Sequence, residues 1–214
     1  MHTLYGYEGS GSAAVEAALV LAGLEGRIVR AASWDEKSAV EELARVNPLR
    51  QIPTLVLPDG TALTESAAIL MHLGLAHPAS GLLPTDAAAR ALALRGLVFI
   101  AANCYSAISV GDFPERWTTA TDDASRAAVK AGARERLHAH WAIFADLHPR
   151  RPFLGGDAPG ALDLLASVVS RWSGTRPHLA KDRPDFHAVM QRVDAHPVLA
   201  PVFARHWPAK AAQA

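Results

Sequence analysis

The chain has a single cysteine, Cys104, which excludes an internal disulfide and any multi-cysteine metal site. An excess charge of one sign is missing too. Lys+Arg and Asp+Glu both number 21, so no broad cationic surface for nucleic acid or an anionic membrane is expected. No apolar run approaches the ~20 residues of a spanning helix. Met1-His2-Thr3-Leu4-Tyr5 lacks the basic start and apolar stretch of a signal peptide. The ten histidines are scattered, and His138 and His140, two apart, fall on different helix faces. These absences predict a reduced, cytoplasmic protein without a metal, a nucleic-acid partner or a membrane anchor.

What is present suits two folding units. Half of the 214 residues are apolar, and this length accommodates units of about 80 and 130 residues. Residues 1–77 mix short β-like runs with short helices. Strands are expected over 3–6, 27–31, 54–57 and 62–64. Helices are expected over 12–22, 35–46 and 65–76, each with apolar residues at helical spacing. Pro58-Asp59-Gly60 is a turn signal between the last two strands. The order β-α-β-α-β-β-α is that of an α/β thioredoxin-like domain with a mixed four-stranded sheet. After Pro78-Ala79-Ser80-Gly81 the chain becomes Ala-rich and almost free of strand signal, so residues 85–207 are expected to form an all-α domain. Helices are placed over 85–109, 122–147, 162–172, 184–195 and 197–206, with loops over 111–118 and 148–159 and a mobile tail after Trp207.

Two motifs carry chemistry. The first is Asn47-Pro48-Leu49-Arg50-Gln51-Ile52-Pro53-Thr54-Leu55. The second is Glu65-Ser66-Ala67-Ala68-Ile69. Together, in this order and spacing, they resemble the cytosolic glutathione transferases, in particular bacterial members of serine or beta-like type. That family carries N-P-x-x-x-[VI]-P-x-L before its third strand and E-S-x-A-I at its third helix. The resemblance implies that Pro53 is cis and that the Ile52 backbone pairs with the cysteinyl part of glutathione like an added strand. It also implies that the γ-glutamyl end rests on Glu65 and Ser66, where a helix N-terminus offers free N–H groups and positive potential. Capping alone also explains a Glu-Ser pair at a helix start. Gln51, Arg50 and Trp34 border the remainder of the tripeptide in this reading; a solvated arginine is the alternative for Arg50.

Such enzymes lower the pKa of the glutathione thiol. A free thiol near ~8.5 is only a few per cent thiolate at neutral pH. Lowering it by two units takes about 2.7 kcal/mol, and one hydrogen bond to a charged group contributes about 1.5–3 kcal/mol. One well-placed hydroxyl therefore suffices. Family members place Tyr, Ser or Cys after the first strand; here the segment is Tyr5-Gly6-Tyr7-Glu8-Gly9-Ser10-Gly11-Ser12. The position of the bacterial cysteine falls on Gly11, and the proline usual before the glycine is replaced by Glu8. Ser10 is the first choice for thiol activation, then Ser12, which also suits a helix cap, then Tyr5.

Tyr105, Phe113 and Trp117 are candidates for a second-substrate pocket, although Gly111–Trp117 also reads as an irregular loop anchored by its aromatics. Cys104 reads as a small core residue. Gly160 and Asp163 hold the cap and third helical positions where the family has Ser/Thr and Asp. The implied function is a homodimeric transferase of detoxification that uses glutathione as co-substrate and attacks a small hydrophobic electrophile. The alternatives are a glutathione-dependent peroxidase, isomerase or dehalogenase, or a non-catalytic binding protein of the same fold.

Overall fold

The structure is a computed structural model that describes residues 1–148 and 152–208; the tail expected to be mobile and part of the 148–159 loop lie outside them. The chain runs β1 (His2–Gly6), α1 (Ser12–Leu21), β2 (Gly26–Arg30), α2 (Val40–Val46), β3 (Thr54–Val56), β4 (Ala62–Thr64) and α3 (Ser66–Ala76). The strands form one sheet in the order β2-β1-β3-β4. β1 pairs in parallel with β2 and antiparallel with β3, and β3 and β4 form the hairpin signalled by Pro58-Asp59-Gly60. The predicted mixed four-stranded, thioredoxin-like sheet is therefore present.

Alternation along β1 divides the apolar residues between two faces. Leu4 joins Leu55 in the large core with α1 and α3. Tyr5 points the other way, into a small cluster with Val29, Ala31 and Leu43 of α2. The α2 helix begins at Val40 rather than near residue 35, because tertiary bonds take the backbone groups that a longer helix would use. Ser38 Oγ accepts from the Ala32 N–H at 2.9 Å, and the Ala39 N–H donates to the Arg30 carbonyl at 3.0 Å.

Helices follow: α4 (Ala87–Phe99), a π-helical segment (Ile100–Tyr105), α5 (Ser106–Asp112), a 3₁₀ turn (Pro114–Arg116), α6 (Asp123–Leu147), α7 (Ala161–Val169), α8 (Thr175–Asp182), α9 (Pro184–Asp194) and α10 (Ala200–His206). Asp86 and Asp122 cap α4 and α6, accepting from Ala89 and Ser125 N–H groups at 2.8 Å. The continuous helical stretch Ala87–Asp112 is long and apolar enough by composition to cross a membrane, although no single run in the sequence suggests it. In the fold it packs against α6 and α7, with Leu97, Ile100 and Cys104 fully buried.

The α7 helix is buried along its whole length and packs on α1, joining the helical half to the sheet unit. Its N-terminus answers the Gly160–Asp163 expectation. Asp163 Oδ1 accepts from the Leu154 N–H at 2.7 Å and Oδ2 from the Gly160 N–H at 3.0 Å. A Cβ at Gly160 would lie 2.9 Å from the Leu82 carbonyl, so no capping side chain fits there. The helix stops at Val169, short of residue 172, where the Arg176 guanidinium donates to the Ser167 carbonyl at 2.9 Å and to Ser170 Oγ at 2.7 Å. The α8 helix that carries Arg176 has no counterpart in the sequence expectations.

Candidate functional site

The entrance to α1 is built by a hydroxyl pair. Ser12 is buried, and its Oγ accepts from the Tyr7 N–H and donates to the Tyr7 carbonyl, both at 3.2 Å. Ser10 Oγ lies 2.8 Å from Ser12 Oγ and accepts from the Ser12 N–H at 3.2 Å. A Cβ at Gly6 would sit 2.5 Å from Ser12 Oγ, so the glycine is what lets the strand end approach this hydroxyl. Ser12 is thus spent on closing the loop. With the Ser12 proton on the Tyr7 carbonyl, the Ser10 hydroxyl donates to Ser12 Oγ and must leave that bond to donate elsewhere.

Pro53 approaches Gly11 from the turn before β3. The Ile52–Pro53 bond is cis. Asn47, buried in the loop before it, donates from Nδ2 to the Gln51 carbonyl and to Thr54 Oγ1, both at 3.0 Å, and Thr54 Oγ1 donates to the same carbonyl at 2.8 Å. With that carbonyl held, neither the N–H nor the C=O of Ile52 forms a hydrogen bond among the described residues. Polar backbone groups do not normally stay unpaired, and an N–H and a C=O on one residue match an extended peptide.

The third wall is the start of α3. Glu65 is its N-cap, at φ 65°, and makes no side-chain cap bond. The first N–H groups of α3, beside the buried Ser66, have no hydrogen-bond partner among the described residues. Such a terminus attracts a carboxylate.

The fourth wall comes from the helical half. A Cβ at Gly11, the residue before α1, would meet Tyr105 Oη at 2.6 Å and Pro53 Cδ at 3.6 Å. The Tyr105 ring is edge-on to Trp172 at a centroid distance of 5.6 Å. Burial pushes its phenol up to about 12, and the Glu65 and Asp112 carboxylates push the same way. The structure therefore brings Tyr105 and Pro53 against Gly11, with Ser10 and Ser12 on either side of it in sequence, and the pairing of Thr54 with Thr64 sets the Ile52–Pro53 turn beside Glu65 and Ser66.

The other candidates stand elsewhere. Tyr5 donates from its hydroxyl to Glu42 Oε1 at 2.8 Å on the α2 face, so that group is engaged away from the α1 entrance. Exposed Arg50 lies 3.7 Å from Glu41, and Gln51 exposes its side chain beside the Ile-Pro turn. Trp34 stands edge-on to Tyr7 at 5.6 Å, beside a cluster the sequence did not signal, in which Arg30 covers the Tyr7 ring and bonds Asp35 at 2.7 Å. Phe113 carries the Arg116 guanidinium over its ring at 4.0 Å, and Trp117 is exposed after the 3₁₀ turn. Cys104 is fully buried, and burial pushes its thiol up to about 12, which suits a core residue and not a nucleophile. Among the described residues no cluster of His, Cys, Asp and Glu is arranged to hold a metal. A cavity of about 130 Å³ between α4, α6 and α7, lined by Phe99, Phe144 and Leu162, lies apart from this site.

Comparison with known proteins agrees with this arrangement. The family model "Glutathione S-transferase, N-terminal domain" matches residues 12–75. Over 118 residues, 55% of the chain, the sequence is 37% identical to YncG, an uncharacterized GST-like protein of Escherichia coli (strain K12), and spans 57% of that relative's length. A glutathione transferase homologue from Sulfitobacter with bound glutathione is 27% identical, with 94% of this chain and 96% of that chain covered at a TM-score of 0.81. A glutathione S-transferase from Methylobacterium radiotolerans, in complex with glutathione sulfonate, is 29% identical, with 94% of each chain covered at 0.75. A sphingomonad glutathione S-transferase complexed with glutathione is 26% identical, with 97% and 100% covered at 0.77. The two sequence motifs, the mixed sheet with its helical half and these likenesses converge: residues 12–75 match the glutathione S-transferase N-terminal domain, and the chain is similar to bacterial glutathione S-transferases over nearly its full length.

Proposed function

We propose that this protein is a glutathione transferase that binds glutathione along the cleft between the α1 entrance, the Ile52–Pro53 turn and the start of α3. One observation carries the reading: the unpaired N–H and C=O of Ile52 stand beside the unpaired N–H groups that begin α3. The cysteinyl residue of the tripeptide pairs with Ile52 as an added strand. Its γ-glutamyl carboxylate takes the α3 N–H groups and the Ser66 hydroxyl, and its ammonium takes the Glu65 carboxylate. Gln51, Arg50 and Trp34 border the glycyl end. The thiol then points at the α1 entrance, where the Ser10 hydroxyl exchanges its bond to Ser12 for one to the sulfur.

The sheet unit of residues 1–77 is the glutathione domain in this reading. Residues 85–207 form the domain that receives a small hydrophobic electrophile, near Tyr105, Phe113 and Trp117. Assembly as a homodimer, a cytoplasmic location and a role in detoxification complete the proposal; exposed Leu75 on α3 and Leu92 on α4 supply apolar surface for a second copy. A non-catalytic binding protein is the second reading, favoured by Gly11 at the cysteine position and by two serines that bond each other. Calorimetry with glutathione, followed by turnover of a generic aryl halide, separates the two. Binding without turnover selects the binding protein, and absence of binding rejects both.

A further inference from the structure

Tyr105 places a phenol in the space that the first side-chain atom at position 11 would otherwise fill. Its Oη stands 2.6 Å from an ideal Cβ on Gly11, beside Pro53. No hydrogen bond to Oη is present among the described residues. The π-helical segment that Tyr105 ends is a widened turn, a feature concentrated at functional sites. The ring is fixed against Trp172, so the hydroxyl is positioned before any ligand arrives.

We propose that Tyr105 Oη donates a hydrogen bond to the sulfur of bound glutathione, making it a catalytic residue supplied by the helical half in place of a cysteine at position 11. The proposal rests on the transferase reading and deepens it. The titratable groups whose fields reach the phenol are Glu65 and Asp112, and both hold its proton on. At neutral pH it is a donor and never the base. The thiol proton leaves to solvent, and the Tyr105 O–H donates to the thiolate that remains. A sulfur lone pair forms the new C–S bond, and the leaving group departs with its bonding pair. The phenol keeps its proton throughout. Ser10 is the weaker partner because its hydroxyl has a competing bond to Ser12 at 2.8 Å.

The test follows the thiolate absorbance of bound glutathione against pH in wild type, Tyr105→Phe, Gly11→Ala and Ser10→Ala, with affinity by calorimetry in parallel. Tyr105→Phe keeps the ring contact with Trp172 and removes only the hydroxyl. It should raise the bound thiol's pKa by about one unit or more and lower turnover at neutral pH by about 10–100-fold, the worth of one charge-assisted hydrogen bond. Its affinity for glutathione should stay within about threefold of wild type, because the donor acts on the thiolate. Gly11→Ala puts a methyl group against Oη on a backbone that accepts alanine (φ −60°), so it should reproduce the Tyr105→Phe shift. The double variant should be no worse than either single one. A wild-type titration that Tyr105→Phe leaves unmoved overturns the assignment while the transferase reading stands. Wild-type protein that binds glutathione yet forms no thiolate at neutral pH overturns both.

Discussion

His206 Nδ1 accepts a hydrogen bond from the Gly9 N–H at 3.2 Å while its Nε2 faces Glu16 Oε2 at 2.9 Å. An acceptor role at Nδ1 puts the proton on Nε2, so the ring donates to Glu16. The last helix thereby holds the loop before α1 through a carboxylate buried on α1, with Arg205 pairing to the other carboxylate oxygen. Gly9 is at φ 72°, where glycine is the residue that fits without strain.

Glu16 therefore ties loop, α1 and α10 together. Burial alone would raise its pKa, but the His206 and Arg205 bonds outweigh burial and hold it below the usual carboxylate value. The folded state binds this proton less tightly than the unfolded one. The contribution to stability is therefore present above the unfolded pKa and lost as pH falls through the folded value. Glu16→Gln should destabilise the protein at pH 7 by about 3 kcal/mol, the lower end for breaking a buried pair, since Arg205 is half exposed. The deficit relative to wild type should shrink toward pH 3 in denaturant titrations, and a pH-independent deficit would count against the ion pair.

Glu65 should matter to the ligand and not to the fold. It is exposed and makes no cap bond. Glu65→Ala should weaken glutathione binding by about 10–100-fold, the loss of a charge-assisted hydrogen bond. The unfolding midpoint should stay within the small range of an ordinary surface change, about 0.5 kcal/mol. Calorimetry showing unchanged affinity removes Glu65 from the site.

Asp163 is fully buried and serves two N–H groups at once. Asp163→Ala leaves the Leu154 and Gly160 donors unsatisfied and should cost about 3–5 kcal/mol, at roughly 1–3 for each orphaned donor plus lost packing. Burial outweighs those bonds in the titration and raises the Asp163 pKa to about 6. A raised folded value means that its contribution is fully present below the unfolded pKa and is lost as pH rises through about 6. Wild type should thus lose about 2–3 kcal/mol between pH 4 and 7 relative to Asp163→Asn, whose side chain does not titrate there.

A conventional capping residue at Gly160 should harm this chain. Gly160→Ser introduces a side-chain oxygen suited to an N-cap, yet its Cβ would press on the Leu82 carbonyl at 2.9 Å. Backbone cannot swing aside as a side-chain tip can, so overpacking of about 1–3 kcal/mol should exceed the ~1 kcal/mol a cap contributes. A raised thermal midpoint in Gly160→Ser would show that the Leu82 strand of chain yields.

Much of the molecule is written in local patterns. Turn chemistry at Pro58-Asp59-Gly60, helical spacing in residues 12–22 and the Ile-Pro and Glu-Ser motifs are each short-range, so the order of elements and the mixed sheet follow from neighbours along the chain. What escaped is set by partners far away in sequence. The start of α2 depends on Ser38 and Ala39 bonding back to β2 and its exit. The α8 helix is polar and holds Pro177, and it is oriented by Arg176 reaching Ser167 and Asp194 across the fold. The π-helical turn keeps the apolar spacing of an ordinary helix, so no periodicity reports it. The sequence determined a thioredoxin-like unit with an Ile-Pro turn before its third strand and a Glu-Ser pair at the start of its third helix. Only the tertiary structure decided that Tyr105, from the other half of the chain, stands against Gly11 while Tyr5 turns away to Glu42. A strand's alternation sets which face a side chain takes, but only packing decides which distant group it meets.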